Sequence, residues 1–536
     1  YQCSLEVYTR KGFAERWAAV QQNLGLAYAD RIASERTENI ELAIAYYQQA
    51  LTVYRPTEFP ADWAMTINNL GLAYMDRIAG EREENIEQAI QFYQQALTVR
   101  TYDAYPVDWA ATHNNLGLAF IYRIRGDRAD NIEQALEHCR QALTIRTRAA
   151  FPADWAMTLH NLAFAYANRI RGDRSENFEH AIHNYQQSLT VRTSASLPKQ
   201  WAETENNLAI AYWERPRGER AENIEQAIYH YQQALTVYTA SSVPVLWATI
   251  QNNLANAYWA RIHGERAANI EEAIEHYQQS LTVYTHQSFP EQWAMIQNNL
   301  ATAYSDRMSK DQAENSELAL VHYQQALTVY TRPAFPERWA ATQHNLATLY
   351  ANRMDGERSA NIEQAIHHYQ LALSVYSLAV LPVEHRKTQR NVGTLCLLEQ
   401  RWQEAAQAFS ATLAASELLY TAAATPEARQ IDLREVNNIS SALAYALLRH
   451  STQNDDLVQA IIVLEQNRAR WLSESLAVDS DKPVNVPAVH WQRFTETASQ
   501  IRQLQAEAQL PDNTPHQRDF LTLSNLLAKA RTDLTQ

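Results

Sequence analysis

The sequence contains little glycine and little proline. Only 11 glycines and 16 prolines occur among its 536 residues, about 5% together, whereas ordinary globular proteins have about 12%. A many-stranded sandwich, propeller or barrel needs a turn signal roughly every 8–12 residues. The composition therefore excludes these β-rich classes and predicts a chain that is nearly all helix.

Features of membrane and secreted proteins are also missing. The sequence has no run of about 18 uncharged apolar residues, so we expect no membrane span, and no secretory signal is visible at its start. Three cysteines (Cys3, Cys139 and Cys396) are too few and too scattered for a disulfide framework. We therefore expect a cytoplasmic protein.

Positive charge is scarce as well. The chain has 46 Lys and Arg residues against 60 Asp and Glu residues, which gives a formal net charge of -14. Binding to the phosphate backbone depends on clustered Lys and Arg, because these side chains displace the condensed counterions. We therefore expect no direct contact with nucleic acid.

The sequence does have an internal repeat of 46 residues. Asparagine stands six residues after the Trp position in nine consecutive units, and proline stands three residues before it in eight of them. Such a period is typical of stacked helical repeats. The Trp positions of units 1 to 9 are Trp17, Trp63, Trp109, Trp155, Trp201, Trp247, Trp293, Trp339 and His385.

Each unit is predicted to contain two helices. In unit 2 the first helix covers residues 59–78, with proline in its first turn. A charged loop follows, and the second helix is predicted to begin at Asn85, where Asn85-Ile86-Glu87-Gln88 has the form of an N-cap with a reciprocal side chain. Spacings of three and four give the first helix one apolar stripe: Trp63, Ile67, Leu70, Tyr74 and Ile78.

These units resemble the tetratricopeptide repeat (TPR). The resemblance is in Asn-Leu-Gly-x-Ala-Tyr at 69–74 and Ala-Ile-x-x-Tyr-x-x-Ala-Leu at 89–97. Units 1 to 8 have six extra residues between their helices, whereas unit 9 has the ordinary TPR spacing. The resemblance covers about residues 1–420. It implies an all-α fold, a TPR-type α-α superhelix (solenoid) with extended 46-residue repeats.

The repeat register predicts five segments. Because residues 1–8 align with residues 47–54, we expect the chain to be part of a longer protein that continues upstream. The segments are 1–13, the second helix of a preceding repeat; 14–381, eight 46-residue repeats; 382–420, the ninth repeat; 421–478, a helical pair; and 479–536, a linker with a polar helical tail.

The helical pair resembles the junction before a CHAT domain in bacterial TPR–CHAT proteins, many of them cyanobacterial. The resemblance is in LVQAIIVLEQNRARWLSESLA at 457–477. CHAT is a caspase-like peptidase module, so the resemblance implies a scaffold or sensor arm that regulates a peptidase beyond residue 536. Two alternatives stay open: a stand-alone TPR adaptor with no attached enzyme, and an RNA-associated TPR–CHAT subunit like those of some CRISPR effectors.

No catalytic constellation is recognised within the chain, which we predict not to be an enzyme. Caspase-like chemistry needs a His and a Cys side by side. Cys139 and Cys396 stand at apolar helix positions and are predicted to be buried core residues, while His263 lies in a variable loop.

The histidines are the other candidate ligands. His180 with His183, and His367 with His368, have suitable spacings, but no Cys or carboxylate completes a zinc-type set. The position before the second-helix tyrosine, which is histidine in five units, is predicted to be an ordinary polar surface position. We expect no metal and no cofactor.

Arginines recur in the loop between the helices, as Arg77 and Arg82 with copies such as Arg123 and Arg128. One interpretation is an anion-binding edge. The favoured interpretation is structural, in which these arginines bond loop carbonyls and neighbouring carboxylates such as those at 80–84.

TPR resemblance implies that the first helices line a concave groove for a protein or peptide ligand. The groove face comprises the second, fifth, ninth, twelfth and thirteenth residues after the Trp position. The fifth resembles the Asn ladders of TPR grooves, since amides both donate and accept hydrogen bonds; a solvated polar face is the alternative. Its predicted partner-binding members are Asn68, Asn114, His160, Asn206, Asn252, Asn298, His344 and Arg390.

The twelfth position varies most between units and is tryptophan in two successive ones, Trp213 and Trp259. Tryptophan is enriched at binding hot spots, so these two residues are predicted to anchor an apolar partner side chain. Packing within the chain is the alternative.

Overall fold

The computed structural model describes most of the chain up to residue 465: residues 1, 3–31, 35–308, 311–422, 426–450 and 456–465, with 496, 526 and 529 beyond. Within this part all regular secondary structure is helical, with no strand. The predicted all-α, TPR-like repeat fold is confirmed. Residues 466–477 of the CHAT-like stretch, and the predicted linker and tail apart from the three single residues, lie outside the described residues.

The helices follow the predicted period. Even-numbered helices α2 to α18 are the first helices of units 1 to 9, and odd-numbered helices α3 to α19 are the second. In chain order they are α1 Ser4–Val7, α2 Ala14–Ala29, α3 Arg36–Ala50, α4 Pro60–Asp76, α5 Arg82–Leu97, α6 Pro106–Tyr122, α7 Arg128–Leu143, α8 Pro152–Ala167, α9 Arg174–Leu189, α10 Pro198–Glu214, α11 Arg220–Leu235, α12 Pro244–Ala260, α13 Arg266–Leu281, α14 Pro290–Ser305, α15 Gln312–Leu327, α16 Pro336–Asn352, α17 Arg358–Leu373, α18 Pro382–Leu398, α19 Trp402–Ala422 and α20 Pro426–His450. A further helical stretch covers 456–465.

The chain divides into an N-terminal half, Tyr1–His263, and a C-terminal half, Gly264–Gln536. In the N-terminal half, the second helix of a unit packs against the first helix of its own unit and that of the next, as α5 does between α4 and α6. In the C-terminal half, α15 packs in the same way between α14 and α16. Each apolar stripe is thus buried by a neighbouring helix.

A tyrosine of the second helix fills the centre of most units. Tyr93 is fully buried, and a Cβ on Gly71 would lie only 2.6 Å from its ring, so the first helix approaches the ring closely. Cys139 and Cys396 are also fully buried. Their predicted role as core residues is confirmed.

The predicted apolar stripe of unit 2 is too long by one residue. Helix α4 ends at Asp76, and Arg77 has an extended conformation. Ile78 therefore lies outside the helix and is exposed, whereas Ile67 and Leu70 are buried as expected.

The predicted N-cap at Asn85 is wrong. Helix α5 begins three residues earlier, at Arg82, and Asn85 is buried in its first turn. The Asn85 amide nitrogen instead donates to the carbonyl oxygens of Arg77, at 3.4 Å, and Ala79, at 2.9 Å. Directly after Ala79 the chain turns at Gly80, whose φ is +79°, a value that favours glycine. Asn85 therefore ties the inter-helix loop to the second helix.

The recurring arginines have a structural role, as favoured, but their carboxylate partner lies in another unit. Arg123 reaches Glu87 of the preceding second helix in a bidentate pair, with Nε–Oε1 at 2.7 Å and Nη2–Oε2 at 2.9 Å. Arg128 donates to the carbonyl oxygen of Ile121 at the end of the first helix. In the described part of the chain, seven arginines form an ion pair with the glutamate that stands 36 residues earlier. The pairs are Arg77–Glu41, Arg123–Glu87, Arg169–Glu133, Arg215–Glu179, Arg261–Glu225, Arg307–Glu271 and Arg353–Glu317.

Replacing both Arg123 and Arg169 with Gln should lower the thermal stability of the protein. Each substitution removes a charge-assisted pair that is mostly shielded from solvent and leaves a carboxylate behind, at a cost of about 1–3 kcal/mol. Arg125→Gln is the matched control, because Arg125 pairs with Glu83 and Glu84 at the exposed surface. Thermal denaturation monitored by circular dichroism gives the melting temperature of the double variant and of the control. Equal melting temperatures of the double variant and the wild type would contradict the structural role of these ion pairs.

Candidate functional site

The polar ladder, which is the set of residues five positions after the Trp position, is more buried than expected. Asn68, Asn114, His160, Asn206, Asn252 and His344 are buried, while Asn298 and Arg390 are half-buried. The alternative of a solvated polar face is therefore wrong for six of the eight positions. A role in partner binding stays a prediction, and the contacts of these residues are first of all structural.

The ladder joins consecutive units through hydrogen bonds. The Asn68 carbonyl oxygen accepts from Thr112 Oγ1 at 3.2 Å and from Asn115 Nδ2 at 3.3 Å, both in the next unit. Asn114 accepts in the same way from Asn161 Nδ2, at 3.1 Å. Asn68 and Asn114 thus bond the first helix of the following unit and fix its register. The amide oxygens of Asn206, Asn252 and Asn298, in contrast, are buried without a hydrogen-bond partner among the described residues.

Histidine replaces asparagine in two units and makes equivalent bonds. His160 Nδ1 lies 3.0 Å from Thr204 Oγ1, and its Nε2 accepts from Asn207 Nδ2 at 3.4 Å. Because Nε2 accepts, the neutral ring has its proton on Nδ1. Burial lowers the pKa of His160 to about 3. His344 bonds Thr388 and Asn391 identically, and burial lowers its pKa to about 4.

A cavity of about 510 Å³ lies between the first helices of units 4 and 5, and one of its lining residues, Asn207, is hydrogen-bonded to His160. Such a volume lies in the range of ligand sites in proteins. Its lining includes residues at the ninth, twelfth and thirteenth positions of the predicted groove face: Phe164, Ala167, Asn168, Ile210 and Glu214. The lining also includes Asn207 and two buried residues of the second helix, Phe178 and Tyr185.

The charged groups at this cavity are neutralised within the protein. Arg174 pairs with Glu214 at 2.9 Å, and its guanidinium carbon lies 5.5 Å from the centre of the Phe178 ring. Arg169 is held by Glu133 in a bidentate pair and donates to Asn177. The cavity therefore combines the apolar side chains of Phe164, Phe178 and Ile210 with polar residues, and these charged groups carry no uncompensated charge.

The C-terminal half has a smaller and more polar counterpart. Its volume is about 260 Å³, and its lining includes Thr302, Ser305, Thr348 and the predicted ladder residue His344. The ninth position summarises the difference between the halves. It is Leu26, Leu72, Phe164 and Ile210 in units 1, 2, 4 and 5, and Thr302, Thr348 and Thr394 in units 7 to 9.

The two predicted anchor tryptophans are half-buried. The Arg220 guanidinium carbon lies 4.4 Å from the centre of the Trp213 ring, and Arg220 also donates to the Trp213 carbonyl oxygen. This contact agrees with the alternative of packing within the chain, at least on one face of Trp213. The partner-anchoring role of Trp213 and Trp259 stays a prediction.

The second-helix histidines do not form an ordinary surface position, so that prediction is wrong. His230 Nδ1 lies 2.5 Å from Glu205 Oε2, and both side chains are mostly buried. His368 lies 2.6 Å from Gln343, and burial lowers the pKa of His368 to about 4. The recurring Gln, Glu or His at the fourth residue after the Trp position was the signal for this contact.

Two other features are absent from the described residues. They contain no group of three or more His, Cys, Asp or Glu residues that could hold a metal ion. None of their helices combines the length and the apolar character that crossing a membrane requires.

Several of the repeats match the model of a known repeat family. The family model of the Sel1 repeat matches six stretches, which span parts of both helices in units 1, 2, 4, 5, 6 and 8: residues 18–52, 64–98, 156–189, 202–236, 251–281 and 340–374. The Sel1 repeat is TPR-like. The chain is a TPR-like helical repeat protein.

Several solved structures are similar to this chain. The apo form of RapI has a TM-score of 0.45 and 10% identity, and covers 74% of this chain and 97% of its own. A Rap protein complexed with competence and sporulation factor has a TM-score of 0.40 and 11% identity, and the match covers 75% of this chain and 98% of the Rap chain. Yeast Tom70 has a TM-score of 0.34 and 11% identity, and the match covers 96% of each chain. No curated protein matches. These values are too low to transfer a function.

Stability of this TPR-like protein should fall between pH 6.5 and pH 4, in part because of His160 and His344. Unfolded histidine takes up a proton below about pH 6.5, whereas the buried rings stay neutral until about pH 4 or below. The unfolded state then binds more protons, so acid favours it. Replacing both with Asn, the residue of other units, should reduce the loss by about 2–3 kcal/mol per site.

Chemical denaturation at pH 7 and at about pH 4.5 measures this difference. His183→Asn is the control, because His183 is exposed. An unchanged pH dependence in the double variant would show that the two buried rings are not the source.

Proposed function

We propose that this chain is a non-catalytic scaffold that binds a protein or peptide along the first helices of its N-terminal half. The observation that carries the proposal is the 510 Å³ cavity, whose lining includes the apolar side chains of Phe164, Phe178 and Ile210. Ile210, which lines the cavity at the ninth position, is 38% exposed, and Leu26 and Leu72 at the same position of units 1 and 2 are 48% and 44% exposed. Exposed apolar patches of this kind mark interaction sites.

The buried ladder supports this surface from beneath. Asn207 lines the cavity and donates to His160, which bonds Thr204 of the same first helix as Asn207. We infer that the fifth-position residues hold the binding face in register, while Trp213 and Trp259 extend it. Asn298 and Arg390, which are only half-buried, are the ladder members best placed to contact a partner themselves.

Ile210→Glu should weaken partner binding at least tenfold, because it places a charge on the apolar wall that the partner would cover. A peptide selected from a displayed random library against the wild-type protein serves as the ligand. Fluorescence anisotropy then gives the affinity of each variant.

Tyr229→Glu is the matched control. Tyr229 is a large exposed residue of the same unit, 53% exposed against 38% for Ile210, but it lies on the second helix α11. The proposal predicts that this control binds within about twofold of wild type. Equal weakening by both substitutions, or by neither, would contradict it.

A second proposal concerns the parent protein. The CHAT-like stretch at 457–477 supports a scaffold that regulates a caspase-like peptidase following residue 536; the alternative is a stand-alone adaptor. The coding sequence beyond residue 536 distinguishes them, since a His and a Cys in caspase-like context support regulation and their absence supports the adaptor. We also infer a cytoplasmic location and no direct contact with nucleic acid, on the cysteine content and the net charge of -14.

A further inference from the structure

Tyr185 lines the cavity between units 4 and 5 with a hydroxyl that lacks a protein partner. The residue is 1% exposed, and its hydroxyl forms no hydrogen bond with the residues that the structure describes. A hydroxyl held in so buried a side chain is destabilising unless something bonds it. Because Tyr185 borders the cavity, a ligand placed there can supply the missing bond.

The equivalent tyrosine is bonded internally in units 7 and 8, whereas the buried Tyr93 hydroxyl of unit 2 also lacks a partner among the described residues. The Tyr323 hydroxyl lies 3.0 Å from Thr302 Oγ1, and the Tyr369 hydroxyl lies 3.0 Å from Thr348 Oγ1. In unit 4 the residue that matches these threonines is Phe164. The sequence of unit 4 thus removes an internal partner and puts an aromatic wall in its place.

The walls indicate a flat apolar ligand. Phe164 and Phe178 contribute rings, and Ile210 adds an aliphatic side chain from the next unit. The half-exposed Tyr122 ring lies 6.1 Å from that of Phe164 and continues the aromatic surface. Aromatic rings pack well against one another in edge-on and offset arrangements.

The charges indicate a neutral ligand. Both arginines of the lining are paired, Arg174 with Glu214 and Arg169 with Glu133. An anionic ligand would have to break one of these pairs, and a cationic ligand would find its carboxylate already occupied. A neutral ring with one polar atom at its tip fits both the walls and the Tyr185 hydroxyl.

We propose that this cavity is the anchor site for the partner and takes a tyrosine side chain, whose phenolic oxygen accepts a hydrogen bond from the Tyr185 hydroxyl. The inference rests on the proposed function, since the partner supplies the ring. Burial raises the pKa of Tyr185 well above its ordinary value, so its hydroxyl remains a donor at neutral pH.

The test compares N-acetyl-L-tyrosinamide with N-acetyl-L-phenylalaninamide as probes of the full chain, with dissociation constants measured by NMR titration. The tyrosine probe should bind about tenfold more tightly, which is the effect of one buried hydrogen bond. Tyr185→Phe should abolish that preference and leave the phenylalanine probe within about twofold.

Two further variants make the comparison specific. Phe164→Thr recreates the arrangement of units 7 and 8, so Tyr185 gains an internal partner and the preference for the tyrosine probe should also disappear. Tyr323→Phe removes the equivalent hydroxyl in unit 7, which is already bonded to Thr302, and should leave the preference unchanged.

Equal affinities of the two probes for the wild type, a preference that survives Tyr185→Phe, or no saturable binding of either probe would each overturn the inference. The proposed function fails separately, when Ile210→Glu leaves binding of the selected peptide intact. A loss of peptide binding in that variant, without any preference for the tyrosine probe, would retain the scaffold and reject the phenolic anchor.

Discussion

The rest of the structure depends on the ion pair between consecutive units. Arginine directly after a first helix reaches back to a glutamate in the second helix of the preceding unit, as Arg123 does to Glu87. The geometry is bidentate and the Glu87 side chain is only 11% exposed, so the pair is both directional and partly desolvated. It fixes the point at which each first helix ends, and therefore where the inter-helix loop and the next helix begin.

Much of the fold could be predicted from the sequence because each helix signal recurs at the same position of consecutive units, so that the units support one another. The proline that begins eight of the nine first helices, the paired helices and the buried Cys139 and Cys396 all follow from position within the unit. The bonds of Asn85 and Arg123 did not, because both residues have plausible partners within their own loop. The true partner of Arg123 lies 36 residues earlier in the chain, and only the recurrence of glutamate at that distance in seven units pointed to it.

The sequence predicted which residues of the candidate site share a helix face, but not how deeply they are buried. Spacing identified which residues share a helix face, and the ninth, twelfth and thirteenth positions do line the cavity. It could not show that the fifth position lies between neighbouring first helices, since burial depends on how closely those helices approach. Asn68 and His160 are polar, yet each is buried and bonded to a threonine of the next unit.

A repeat array allows a binding site to arise without a new fold. Each unit is stabilised mainly by its nearest neighbours, so a local substitution has local consequences. The pairs Arg169–Glu133 and Arg215–Glu179 hold units 4 and 5 as they hold the others, while phenylalanine replaces the threonine that bonds the core tyrosine in units 7 and 8. Since the inter-unit contacts persist on both sides, the unpartnered Tyr185 hydroxyl is tolerated, and the difference between units becomes a site.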